Sequence, residues 1–526
     1  MTGDSRDAGL RRAEVELNPG TIEMSALAIN GNELTLEAVA AVAEERSSVS
    51  LAPQARGGVE RARAVVDALV AGNKVSYAIT TGVGKLSDVR IAADQIRELQ
   101  VNLLRSHAVG LGEPLSRTET RALVLLRANS LAKGHSGVRP LLIDTLCALL
   151  NRGVVPFVPS QGSVGASGDL APLAHLALVL IGEGECVDSG GKRIPAAQAL
   201  QAAGIGPLTL EAKEAISLIN GTQGMLAVGI LALLAAETLV DTADVVGALT
   251  LDALRGTDVA FDPRIHQVRP HAGQSKSAEN LRRMLEGSEL RESHRDCGRV
   301  QDAYSLRCMP QVHGAVRDAL AQTRTTMEIE TGSATDNPLV FAEGEILSGG
   351  NFHGAPLAMA LDTSAIALTT LMGIGERRID RLVNPDINEG LPPFLSRTPG
   401  VSSGFMIAHI VAAALLNEAK VLAHPASADS VPTSGGKEDH VSMGMTAALK
   451  FRQIVDNAER LLAIELLCAA QALEYRLPLK PARRIERAFS TIRQIVRPLD
   501  EDRVLSNDIE SLATALRDAR FDEWRN

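Results

Sequence analysis

The residues with the most distinctive chemistry lie in a segment rich in glycine and serine. Gln161–Ala174 reads Gln-Gly-Ser-Val-Gly-Ala-Ser-Gly-Asp-Leu-Ala-Pro-Leu-Ala. Asp169 and Pro172 are typical of the first residues of an α-helix, so the glycines and serines lie at a helix entry. A phosphate loop would end in Gly-Lys-Ser/Thr, and a nucleophile elbow needs Gly-x-Ser-x-Gly, whereas Gly168 directly follows Ser167. A plain glycine-rich helix entry stays open as an interpretation.

The tripeptide Ala166-Ser167-Gly168 fits one further reaction, which is cyclisation of the backbone. The amide nitrogen of Gly168 would attack the carbonyl carbon of Ala166, and loss of two waters would turn Ser167 into a dehydro unit. A glycine is needed at the attacking position because a side chain would block close backbone approach. The product is the electrophile 4-methylidene-imidazol-5-one (MIO). A helix N-terminus beside it would favour negative charge developing on the ring.

Three other polar segments contain residues suited to catalysis or substrate binding. Tyr77 opens the loop Tyr-Ala-Ile-Thr-Thr-Gly-Val-Gly. Asn220 precedes a very apolar helix, where a helix cap is the alternative to a role in a site. The spacing of Tyr304 and Arg307 predicts that they share one helical face or turn. Arginine is suited to a bidentate grip on a carboxylate, with a structural ion pair as the alternative.

Together these segments resemble the histidine and phenylalanine ammonia-lyase family, whose signature matches Gly162–Glu185 almost residue for residue. The resemblance runs from about residue 30 to about residue 480. It implies a mostly helical fold, an MIO group without any external cofactor, and a homotetramer in which three subunits build each active site. It implies catalytic roles for Tyr77, in proton transfer, and for Tyr304. It places in the substrate site Asn220, Gln301, Arg307, Asn337 and Phe352.

Two further positions indicate which amino acid is the substrate. Ser106-His107 resembles the histidine members of the family, whereas the phenylalanine enzymes have Phe-Leu there and the tyrosine enzymes His-Leu. Glu438 in Lys-Glu-Asp-His-Val-Ser-Met resembles the histidine members as well. An imidazole needs a polar partner at each end, and burying an unpaired glutamate against a phenyl ring is costly. The sequence therefore predicts MIO-dependent elimination of ammonia from L-histidine, giving trans-urocanate.

The chain departs from the family pattern beside the predicted site. The tyrosine loop has Ala78, Thr80 and Val83 where the histidine enzymes usually have Gly, Asn and Phe. Gly-Gly-Lys at 435–437 replaces Ala-Asn-Gln, and Met309 replaces a Gln. Three alternatives stay open: a histidine 2,3-aminomutase, an MIO lyase of altered aromatic specificity, and an inactive helical scaffold.

A mainly α-helical chain must position these residues. Helical periodicity predicts long helices at Thr222–Leu254, at His353–Gly373 and from Met445 to about Arg476, the last becoming apolar on every side. Strand patterns are short, the best being Gly153–Val158 and a hairpin over Leu339–Leu347. We predict a polar extension over residues 1–24, a loop-rich domain carrying the MIO group over 25–218, and a long helical bundle over 219–526.

Composition and charge narrow the class of protein. The 526 residues include 53 Lys and Arg against 63 Asp and Glu, a net charge of −10 that argues against nucleic acid or an anionic membrane as partner. Two apolar segments, Leu170–Ile181 and Gly224–Ala236, are shorter than the roughly 20 residues that span a bilayer. Five scattered cysteines without CxxC spacing indicate a reducing compartment and no zinc or other metal site. With no signal-peptide pattern, we expect a cytoplasmic enzyme acting on a small amino acid.

Overall fold

The computed structural model describes residues 25–518, so the polar extension predicted for residues 1–24 lies outside the described residues. Within that range the chain forms nineteen α-helices and nine short strands. The mainly α-helical class is therefore confirmed.

The first part of the described chain combines short helices with small sheets. The strands are β1 Ser25–Ile29, β2 Ser47–Leu51, β3 Leu111–Pro114, β4 Val155–Pro156, β5 Pro159–Gln161, β6 Glu185–Val187 and β7 Arg193–Pro195. β1 pairs with β2 in parallel, and β3 pairs with β5 in antiparallel orientation. β4, β6 and β7 form a three-stranded antiparallel sheet with β6 in the middle. The helices are α1 Leu36–Ala43, α2 Pro53–Ala71, α3 Ile96–His107, α4 Arg117–Ala132, α5 Pro140–Asn151, α6 Leu170–Leu180, α7 Ala196–Ala202 and α8 Glu214–Ile219.

The remainder of the chain is dominated by long helices. They are α9 Gln223–Ala253, α10 Pro263–Gln267, α11 Ala272–Leu285, α12 Glu289–Glu292, α13 Tyr304–Arg307, α14 Met309–Thr331, α15 Ala355–Val383, α16 Met406–Leu422, α17 Gly444–Glu474, α18 Arg483–Ile495 and α19 Ser506–Arg517. A two-residue hairpin of β8 Leu339–Val340 and β9 Ile346–Leu347 lies between α14 and α15.

The core of the bundle is built where the long helices meet. α9 and α15 each pack against both α14 and α17. Residues 461–473 of α17 are buried on every side, as their all-round apolar character predicts. The predicted bounds of α9 and α17 hold to within two residues, whereas α15 continues ten residues beyond Gly373. These four helices form the frame on which the loops before α9 and α17 are fixed.

The predicted strands are present but shorter than expected. The hairpin over Leu339–Leu347 is confirmed as an antiparallel pair. Of Gly153–Val158, only Val155 and Pro156 pair, with β6. One further backbone hydrogen bond, from the Phe157 amide to the Glu185 carbonyl at 2.9 Å, joins this segment to β6.

Among residues 25–518, two helices, α9 and α15, are long and apolar enough to cross a membrane by length and composition alone. The apolar segment Gly224–Ala236 is part of α9, the long helix that the sequence predicts over Thr222–Leu254. In α9 72% of the most apolar window is buried inside the protein, and in α15 56%. Buried core helices of helical bundles meet the same criteria of length and composition, so these two helices are weak evidence for a membrane span.

Candidate active site

Ala166-Ser167-Gly168 lies in the loop between β5 and α6, where its backbone packs against Gly221. Gly168 has a φ of +73°, and the next amide, that of Asp169, donates to the Gly221 carbonyl at 2.7 Å. A Cβ built on Gly168 would collide with that carbonyl group. Only glycine therefore fits at position 168, which is what cyclisation demands of the attacking residue.

The carbonyl oxygen of Ser167, which would become the carbonyl oxygen of the MIO ring, accepts a hydrogen bond. Its donor is Asn220 Nδ2, at 2.8 Å. Arg127 is fully buried behind this contact, and its Nη1 donates to the Asn220 carbonyl at 2.8 Å. Burial lowers the pKa of Arg127 to about 10. The Asn220 side chain makes no capping bond at the start of α9, so the position of its amide favours a role in the site over a helix cap.

Asp169 ties the tripeptide loop to the central bundle. As predicted, α6 begins directly after it, at Leu170. Its side chain does not cap α6 but accepts from the backbone N–H of Met225, in the first turn of α9, at 2.8 Å. It also accepts from Ser163 Oγ at 2.7 Å. Burial raises the pKa of Asp169 to about 6.

Glu438 lies opposite the tripeptide and accepts hydrogen bonds on both carboxylate oxygens. Ser167 Oγ donates to Oε1 at 2.7 Å, and Thr433 Oγ1 donates to Oε2 at 2.6 Å. The neighbouring Lys437 is exposed and, among the described residues, forms no ion pair with Glu438. The carboxylate is therefore held by hydroxyl groups and not by a cation of its own loop.

A cavity of about 480 Å³ opens at this place. Leu86, Leu170 and Ile216 contribute apolar surface to it. Seven of the predicted site residues line it: Tyr77, His107, Ser167, Asn220, Asn337, Phe352 and Glu438. Ala166 and Gly168 are buried directly behind Ser167. The structure thus gathers most of the predicted site from segments far apart in the chain.

Two ring-bearing residues of the cavity have defined hydrogen bonds. The phenolic oxygen of Tyr77 accepts from the Gly84 amide at 3.2 Å. His107 ends α3, and its Nδ1 lies 2.8 Å from the Leu103 carbonyl. Because a carbonyl only accepts, Nδ1 carries the proton and Nε2 of a neutral ring is an acceptor. Burial lowers the pKa of His107 from 6.5, against the opposing effects of the Leu103 carbonyl and of Glu438, so the ring is neutral at pH 7.

Three predicted residues are not brought to this cavity within one chain. Gln301 and Arg307 line a separate cavity of about 630 Å³. Tyr304 is 72% exposed, and the Arg307 guanidinium lies 4.5 Å from the centre of its ring. Both residues lie on the single turn of α13, which confirms their predicted spacing. Among the described residues no ion pair holds Arg307, so the structural alternative is not supported.

Residues 34–494 match the family model of aromatic amino acid lyases. The chain belongs to the aromatic amino acid lyase family. The histidine ammonia-lyase of Koribacter versatilis (strain Ellin345) is 59% identical over 511 residues, which cover 95% of this chain and 99% of that protein. The crystal structure of histidine ammonia-lyase from Trypanosoma cruzi is 42% identical, with a TM-score of 0.88 and 95% of each chain covered. Tyrosine aminomutase from Streptomyces globisporus is 39% identical, with a TM-score of 0.90 over 95% of this chain and 98% of that one.

The family resemblance inferred from the motifs is thereby confirmed, and the chain is a carbon–nitrogen lyase. This lyase has departures in its tyrosine loop that the structure now locates. Ala78 adopts a φ of +56°, a left-handed conformation that favours glycine. Thr80 Oγ1 donates to the Lys74 carbonyl at 2.9 Å and does not line the cavity, whereas Val83 does. Met309 is buried at the start of α14.

Thr433, Gly84 and the apolar wall of the lyase cavity were not predicted from the sequence. A signal for Thr433 was present in Thr-Ser-Gly-Gly-Lys-Glu, because two adjacent glycines allow the chain to turn back on itself. Residues 433 and 438 do pair across this turn. The apolar residues carry no such signal, since Leu and Ile are equally common in any core.

Proposed function

We propose that this lyase eliminates ammonia from L-histidine to give trans-urocanate, using an MIO group made from Ala166-Ser167-Gly168 and no external cofactor. The observation that carries the proposal is that Glu438, whose Oε1 accepts from Ser167 Oγ, and His107 line the same cavity as Ser167. The high identity to histidine ammonia-lyases over nearly the whole chain supports the same substrate.

The residues around the tripeptide fit the MIO group. An MIO group formed from these residues would supply an electrophilic methylene for the substrate's amino group. The Ser167 hydroxyl is lost in its formation, so Glu438 Oε1 loses its present donor and becomes free to accept another. Asn220 stays at the carbonyl oxygen of residue 167, where a fixed donor stabilises negative charge.

The hydrogen-bond acceptors of the cavity match the imidazole side chain of the substrate. A protonated imidazole has two N–H donors, and neutral His107 and the Glu438 carboxylate each offer an acceptor. A phenyl ring would leave both acceptors unpaired, which costs binding energy in a closed site. Phe352 and Asn337 complete the lining on the other side of the cavity.

Tyr77 is the residue we assign to removal of the β-proton. Its hydroxyl group is fixed by the Gly84 amide at the wall of the same cavity as Ser167. Proton transfer by a placed side chain contributes about 10²–10⁴-fold to a rate, so positioning and the electrophile must supply most of the acceleration.

We further propose that the lyase is a homotetramer in which other subunits supply Gln301, Tyr304 and Arg307 to each site. Arg307 would bind the substrate carboxylate, and Tyr304 would act beside it in catalysis. The exposure of Tyr304 and the lack of an ion pair at Arg307 within the described chain support this assignment. We expect the enzyme in the cytoplasm, without a nucleic-acid or membrane partner.

Product analysis with L-histidine tests the proposal. We expect ammonia and urocanate to form in equal amounts, and Ser167→Ala to abolish both. Accumulation of β-histidine would instead identify a histidine 2,3-aminomutase, a candidate favoured by the similarity to tyrosine aminomutase. Faster turnover of phenylalanine or tyrosine would identify a lyase of altered specificity. Formation of neither ammonia nor a β-amino acid from histidine, phenylalanine or tyrosine would contradict all three.

A further inference from the structure

Thr433 binds Glu438 at two points. Its Oγ1 donates to Oε2 of the carboxylate at 2.6 Å, and its backbone N–H donates to the Glu438 carbonyl at 2.8 Å. We infer that Thr433 is the positioning residue that presents Glu438 Oε1 to the substrate and so helps this lyase to select an imidazole ring. The inference rests on the proposed function, in which that oxygen accepts a hydrogen bond from the substrate.

The loop between the two residues is built for this contact. Ser434, Gly435 and Gly436 adopt φ values of +51°, +62° and +79°, so three consecutive residues are left-handed. Two of them are glycines, which adopt this conformation at little cost. The chain can therefore reverse within four residues, and the side chains of Thr433 and Glu438 meet without any longer connection.

The hydroxyl of Thr433 decides which carboxylate oxygen faces the cavity. The terminal torsion of a glutamate is broad, so an unbound carboxylate rotates easily. Besides Ser167, Thr433 is the only side chain in the described part of the chain that bonds to Glu438. When the Ser167 hydroxyl is lost, the Thr433 hydrogen bond is what remains to hold the carboxylate in place.

The same loop also contacts the segment that holds Tyr77. A Cβ built on Gly84 would lie 2.7 Å from Ser434 Oγ, so the two loops touch at this glycine. The Gly84 amide is the donor to the Tyr77 hydroxyl. The loop that carries Glu438 therefore contacts the loop that carries Tyr77, the proposed base, at Gly84.

Steady-state kinetics with L-histidine test the inference. Thr433→Val removes the hydroxyl and keeps the shape, and we expect KM to rise about ten-fold with kcat changed less than about two-fold. Thr433→Ser keeps the hydroxyl and should restore KM to near the value of the unchanged enzyme. Thr514→Val, at an exposed threonine of α19, is the matched control and should change neither constant.

A double mutant separates an effect through Glu438 from a general structural effect. In a Glu438→Ala background, Thr433→Val should change KM by less than about two-fold, because the side chain on which Thr433 acts is gone. The inference is overturned if Thr433→Val leaves KM unchanged, if Thr433→Ser is impaired as much as Thr433→Val, or if the effects of the two substitutions simply add. Turnover of histidine by the unchanged enzyme tests the proposed function separately, so the two failures are distinguishable.

Discussion

Ser167 Oγ donates to Glu438 Oε1 at 2.7 Å although the two residues are 271 positions apart. Their loops precede α6 and α17, and two further bonds join them: the Met443 amide donates to the Val164 carbonyl at 2.8 Å, and Ser442 Oγ donates to the Gly165 carbonyl at 2.9 Å. Because α6 and α17 both pack on α9, the bundle holds both loops at a fixed distance. In the function proposed above, the same carboxylate oxygen would bind the serine before cyclisation and the substrate after it.

The contact between Gly168 and Gly221 leads to a prediction about ring formation. Gly168→Ala would place a Cβ against the Gly221 carbonyl, so we expect no cyclisation and an intact mass two waters above that of the mature chain. Gly191→Ala is the matched control, because Gly191 has a similar φ of +81° with nothing within 4 Å of its Cβ position. The control should retain the full loss of two waters. A dehydrated Gly168→Ala chain would show that the close approach is not required.

How much of this site could be read from the sequence depends on how local each signal is. The tripeptide, the helix after it and the long bundle helices follow from contiguous patterns and were predicted. The pairing of Ser167 with Glu438 is a long-range contact that no local pattern contains; only the membership of both residues in one site was inferred, through family resemblance. The apolar cavity wall, such as Leu170 and Ile216, has no local signal and was not predicted. The domain boundary near residue 218 stays a prediction, since α8 spans it without a break.

A second prediction concerns the protonation of His107. Burial lowers its pKa below 6.5, so at pH 7 its Nε2 accepts, and protonation would turn that acceptor into a donor facing another donor. We therefore expect His107 to contribute a rise in KM for histidine as the pH falls through the His107 pKa and no change above it, in addition to the pH dependence that comes from the substrate. KM measured between about pH 5 and about pH 8 checks this.

The substrate's own imidazole titrates in the same range, so a control is needed. His107→Gln keeps a polar side chain that cannot titrate. The dependence due to the substrate alone remains in this variant, and the difference between the two profiles belongs to His107. Identical profiles for both proteins would contradict the assignment.

Ala78 gives a prediction about stability. Its left-handed backbone costs an alanine about 1–2 kcal/mol, whereas glycine loses about 0.5–1 kcal/mol of chain entropy. The two terms largely cancel, so Ala78→Gly should change the free energy of unfolding by no more than about 1 kcal/mol. Ala78→Val puts a branched side chain into the same buried, left-handed position and should destabilise by more than about 1 kcal/mol. Urea unfolding at equal protein concentration measures both, and equal stabilities would contradict the strain argument.

The separation of Arg307 from Ser167 within one chain predicts complementation between inactive variants. Ser167→Ala and Arg307→Ala should each be inactive alone, the first without an electrophile and the second without a group for the substrate carboxylate. If different subunits supply the two residues, random mixing leaves about one site in four with both intact. Co-expression should then restore up to about a quarter of the normal activity. Ser167→Ala mixed with Gly168→Ala should restore none, because both changes lie in the same tripeptide. Failure of the first mixture, with tetramers formed, would show that Arg307 does not act across subunits.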